Sequence, residues 1–228
     1  MGAVCECLIL VYSRGLTLKS VWRANLLAHI QNTVSQYNLP PIEKRLDRKS
    51  NRIGVAEHFP VADVRKSIEA DLQVIDTLDE VIGKLEWHIE KTVIIHNAHD
   101  YYLLRSIEGV GRILSMTILY EIEDIKRFSR VQDFPSYSRL VKCAKESAGK
   151  RYRSSGKKIG NAHLKWAFSE AAALFLRGNP RGQHYLRRLE KKHGKGKAMA
   201  ILGARMGRAV YFMLKKGEPF NRERFYGN

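Results

Sequence analysis

The sequence predicts a mainly α fold: a long coiled-coil-like helix followed by a helical domain that contains a helix-hairpin-helix turn. Three observations predict it. Apolar residues recur every three or four positions from 61 to 93, two glycines at 109 and 111 separate two apolar runs, and further helix-forming runs cover 162–176 and 198–214. The chain has 228 residues, 44% of them apolar and 28% charged, which is enough to bury a core in one large domain or two small ones.

Residues 1–12 read as a short, strand-like apolar piece. Over 16–37 the spacing of Leu18, Val21, Leu26, Leu27, Ile30 and Val34 is helical, and Pro40-Pro41 follows its end. Residues 42–59 are polar and aperiodic, as in a loop or linker. The stripe at 61–93 comprises Val61, Val64, Ile68, Leu72, Ile75, Leu78, Ile82, Leu85, Ile89 and Val93, with charged residues on the other faces. It suits a coiled coil between chains and a helix packed within its own chain equally well. The expected divisions are 1–59, 60–100 and a basic C-terminal domain at 101–228.

The next run, Leu103 to Gly111, ends in Gly-Val-Gly and leads into Ile113, Leu114 and Ile118. Such a turn can leave backbone N–H groups open at a helix start, where Gly109 and Gly111 would cradle a nucleic-acid phosphate. It also fits an ordinary helix–helix corner that needs glycine for its backbone angles. Glu121, Glu123 and Asp124 form an acidic cluster that reads as a solvated turn rather than a metal site.

Charge is segregated along the chain. Residues 142–228 hold 22 of the 40 Lys and Arg but only 5 of the 23 Asp and Glu, so the whole net charge of +17 resides there. A solvated basic face is one reading. Nucleic acid explains the segregation better, because phosphates release condensed counterions when Lys and Arg replace them. Neither a basic amphipathic segment nor a lipidation motif points to a membrane. Cys5, Cys7 and Cys143 cannot pair completely and have no zinc-site spacing, and the apolar stretch at 3–12 is interrupted by Glu6 and too short to span a bilayer. A cytoplasmic protein is the expectation.

Residues 142–166 are the strongest candidate for chemistry. Ser147 lies between Lys145 and Lys150, with Ala148-Gly149 beside it, and Ser154 and Ser155 offer a second hydroxyl pair before Lys157 and Lys158. Such a serine either binds a phosphate or attacks it. Attack requires charge on phosphorus to be offset, a task open to Lys150, Arg151 and Arg153. Lys165, Arg187, Lys195, Lys197, Arg205 and Arg208 extend the candidate phosphate surface. The Gly-Lys-Gly-Lys string at 194–197 lacks the spacing of a nucleotide-binding loop.

The strings LLAHIQNTVSQYNLP (26–40), IEGVGRILSMTILYEI (107–122), VQDFPSYSRLVKCAKESAGK (131–150), KKIGNAHLKWAFSEAA (157–172) and KKHGKGKAMAILGARMGRAVYFML (191–214) occur in one fixed order. Together they resemble the bacterial insertion-sequence transposases that join an N-terminal acidic RuvC-like domain to a C-terminal serine-bearing domain, relatives of the Piv DNA invertases. The resemblance implies an assembling coiled coil, matched at 61–93, and a transposase domain, matched at 103–214. It implies a serine nucleophile at Ser147, where Ala148 replaces the usual first glycine. It also implies Mg²⁺ bound by the acidic domain, with no cofactor in this chain. DNA is the implied partner, with a structured guide RNA in some members and a homo-oligomer or a mixed oligomer with full-length transposase. Only about 25 residues precede the first of these strings, and Met1 to Tyr12 do not resemble the acidic domain, so the chain is expected to bind nucleic acid and to recombine DNA only when complemented. A non-catalytic binding or dimerisation remnant is the alternative expectation.

Overall fold

The computed structural model describes residues 2–141, 144–147, 150–153 and 159–227, with side chains described at 15, 18–141 and 159–227. The fold is mainly α. Helix α1 spans Gly2–Gln36, so helix replaces the strand expected near the N-terminus. No proline or paired turn residues separate 2–12 from the helical run that follows, and a helix once nucleated propagates at little cost. Helix α2, Ala62–Arg105, contains one non-helical residue, Asn97. There the Asn97 side chain accepts from the Asp100 amide at 3.3 Å, which starts the last helical stretch as a cap would. The remaining helices are α3 (Arg112–Ile122), α4 (Asp133–Tyr137), α5 (Ala162–Phe175), α6 (Pro180–His193), α7 (Lys195–Lys216) and α8 (Arg222–Tyr226). Between α4 and α5, β1 (Ala144–Ser147) and β2 (Lys150–Arg153) pair antiparallel.

The chain divides into two compact units, Ala3–Ile89 and Glu90–Asn228. In the first, α1 contributes Ile30 and Val34 to a core completed by Ile68 and Ile75 of α2. The pairs Arg23–Asp79 and His29–Asp71 descend along α2 as they ascend α1, so the helices are antiparallel. Residues 42–59 are irregular, with short 3-10 turns at Lys49–Asn51 and Ala56–His58. They nonetheless bury Leu46, Val55, Ala56 and Phe59, so this stretch is part of the core rather than a free linker. Aperiodic apolar residues escape a search for helical or strand spacing. Arg52, buried here, pairs with Asp76 at 3.1 Å and with Asp79.

In the second unit α5 packs against α7, α3 against α5, and α6 and α4 against α7. Leu164, Ala167, Phe168, Ala171 and Phe175 form the buried stripe of α5, and Leu202, Met206 and Val210 that of α7. Buried Gly203 and Gly207 keep the contact face of α7 low. The C-terminal segment closes the unit through ring contacts of Phe220 and Phe225 with Phe175, at centroid separations of 6.1 and 5.3 Å. Among the described residues, no helix is long and apolar enough to cross a membrane.

Candidate nucleic-acid interface

The turn between α2 and α3 is tied to its own protein on three sides. Gly109 has φ +81°, and a β-carbon there would collide with the backbone of Leu174 and Phe175 at the end of α5. Glu108 accepts from the Asn179 side-chain amide at 2.8 Å and pairs with Arg222. The Ser106 hydroxyl accepts from the Phe220 amide at 2.9 Å. Gly109 therefore has a packing role that demands glycine. Gly111 differs: it is exposed, caps α3 from extended backbone, and has nothing within 4 Å of where a β-carbon would stand.

The basic hairpin leaves and re-enters the fold at two anchored points. On the return side, the Asn161 amide donates to the Tyr137 carbonyl at 2.7 Å, and its side-chain amide donates to Glu121 at 2.5 Å. The same side chain accepts from the Leu164 amide at 2.9 Å and so caps α5. Arg139, just before the hairpin, donates to the Gly160 carbonyl just after it at 2.8 Å. At φ +96° Gly160 fits close over Tyr137, where a β-carbon would stand 2.5 Å from the carbonyl oxygen. The acidic turn is thus only partly solvated. Glu121 is 8% exposed and serves this clamp, while Glu123 and Asp124 face water.

Between the anchors, Ser147 ends β1 and lies across from Lys150 in the strand register, while Arg151 and Arg153 lie on β2. Ala148, Gly149, Ser154, Ser155, Lys157 and Lys158 lie outside the described residues. Lys165, Arg187, Lys195, Lys197 and Arg208 are exposed. Arg205 is not a free cation. Its guanidinium donates to the Tyr185 hydroxyl at 2.8 Å and lies 5.1 Å from the Tyr185 ring centroid and 5.5 Å from that of Phe225. Among the described residues no cluster of His, Cys, Asp or Glu could hold a metal ion.

Residues 101–187, from the end of α2 through most of α6, match the sequence profile described as Transposase IS116/IS110/IS902 family. This segment is similar to insertion-sequence transposases. It encloses the two-glycine turn, the clamp and the whole hairpin. Comparison with curated proteins gave no match. The transposase segment ends before Lys195, Lys197, Arg205 and Arg208, so the cations of α7 lie beyond the matched residues.

Sequence reasoning picked out Arg205 and Arg208 but missed Phe212 and Lys216, which line a cleft with them on one side of α7. A signal was present, since intervals of three and four place them on one helical face. The apolar stripe of the same helix hid it: Leu202, Val210 and Met213 are buried, while Ile201 and Ala209 are half-buried beside the cleft.

Proposed function

We propose that this chain binds DNA in transposition and that Ser147 attacks a DNA phosphate. The supporting observation is the placement of Ser147 across from Lys150, on a hairpin anchored at both feet within the transposase segment. In the attack, the serine oxygen forms a bond to phosphorus and one bridging P–O bond breaks. The proton lost by the hydroxyl is balanced by one gained by the departing oxygen. Lys150, Arg151 and Arg153 offset charge on the transferred phosphate. Because one phosphodiester replaces another, the step conserves bond energy and can be reversed to join a new strand.

The test uses a suicide DNA substrate with Mg²⁺ and the acidic domain present. The native chain is expected to form a covalent protein–DNA adduct mapping to Ser147, and Ser147→Ala to form none. An adduct that survives Ser147→Ala, or maps to Ser154 or Ser155, excludes Ser147.

A second reading, assembly through the first unit, is favoured by its exposed apolar side chains. Leu18, Val21 and Trp22 are about half exposed on neighbouring turns of α1, as are Val74 and Trp87 on α2. Concentration-independent monomeric sedimentation would exclude it.

A further inference from the structure

We propose that the cleft between α7 and the C-terminal segment binds an unstacked base of single-stranded DNA, with the flanking phosphates on the cations around it. This rests on the nucleic-acid reading above and assigns it a second site. The cleft measures about 680 Å³, ample for a nucleotide. Its apolar lining includes Ile201, Phe212 and Phe220, and Phe212 is 46% exposed. An aromatic ring left in water beside cations gains most from a ligand that is itself planar and anionic. Arg208 and Lys216, one turn to either side of Phe212, are exposed and have no ion-pair partner among the described residues. Arg224 adds a third exposed cation, partly offset by Glu218 at 3.7 Å.

Arg205 is fixed between Tyr185 and Phe225 by its hydrogen bond and both ring contacts. A second hollow of about 530 Å³ shares Tyr185 and Arg205 with the first and carries Arg188, Lys191 and Lys192. Cations therefore continue past the aromatic cleft, and a strand leaving it would keep meeting positive charge. Alternation of ring faces with a basic track is how single strands are held without sequence readout. A duplex cannot use the cleft in this way because its bases are stacked and paired. A purely apolar peptide would leave the surrounding cations uncompensated.

Binding of labelled oligothymidylate, oligouridylate and a DNA duplex to the full chain tests the site by anisotropy at fixed salt. Phe212→Ala and Phe212→Leu are each expected to weaken oligothymidylate binding about five- to a hundredfold, with duplex binding unchanged. The leucine variant keeps apolar volume, so a loss shared by both variants reports stacking rather than misfolding. Unchanged oligothymidylate binding, or an equal loss on duplex, overturns the site. A loss confined to oligouridylate overturns the assignment to DNA. Native protein that binds duplex but not oligothymidylate refutes this site alone, whereas native protein that binds neither refutes the nucleic-acid reading as well.

Discussion

Gly109→Ala separates packing from phosphate binding at the two-glycine turn. The substitution puts a β-carbon at φ +81° against the backbone of Leu174 and Phe175, where no side-chain rotation can relieve it. An L-residue in left-handed backbone costs about 1–2 kcal/mol, and forcing extra volume into a packed contact costs about 1–3 more. The expected loss is therefore about 2–5 kcal/mol, or roughly 5–15 °C in the melting temperature of the second unit. Gly111→Ala supplies the contrast. Its backbone is extended and its surroundings are open, so only the poorer cap is felt, at most about 1 kcal/mol. Thermal unfolding followed by circular dichroism, with DNA affinity measured below the transition, reads both variants. A Gly109→Ala protein with native stability but lost DNA binding would refute the packing account and make that glycine a phosphate cradle.

Two further perturbations test other joints. Asn161→Ala removes the cap of α5, worth about 1 kcal/mol, and strips buried Glu121 of its amide donor, worth about 1–3 kcal/mol. Urea unfolding should show about 2–4 kcal/mol of destabilisation, and a change below half a unit on that scale would deny the clamp its structural weight. In the first unit, burial works against the Asp79 charge, but hydrogen bonds and charge from Arg52 and Arg23 outweigh it and hold the carboxyl below its ordinary value of 3.8. A depressed folded-state value means that the stabilisation is full above the unfolded value and is lost as pH falls through the folded one. Stability of the first unit should therefore decline below about pH 4, and Asp79→Asn should flatten that decline while lowering stability at neutral pH. An unaltered acid limb in Asp79→Asn would assign the sensitivity to other carboxylates.

What the sequence disclosed and what it hid follow the same physics. Long periodic stripes such as that of α2 are visible because every turn repeats the signal. The buried loop residues Leu46 and Phe59 have no period, so only the fold reveals that they are core. Gly109 and Gly111 look alike in sequence, yet one meets α5 and the other meets water, a difference made by a residue 66 positions away from Gly109, Phe175. Arg205 shows the converse: a cation in a basic tail is expected to seek phosphate, but Tyr185 and Phe225 already engage it. Charge segregation is legible in the sequence because it is a property of composition. Which cations are free is a property of packing.

The most direct test of the central claim, that the basic C-terminal region exists to engage DNA phosphates, is the salt dependence of duplex binding by the full chain. Log affinity should fall steeply and linearly with log salt, and replacing Lys150, Arg151, Arg153, Lys157 and Lys158 by Gln should reduce the slope by up to about 4.5. Absence of binding at low ionic strength, or a slope untouched by those replacements, would contradict the account.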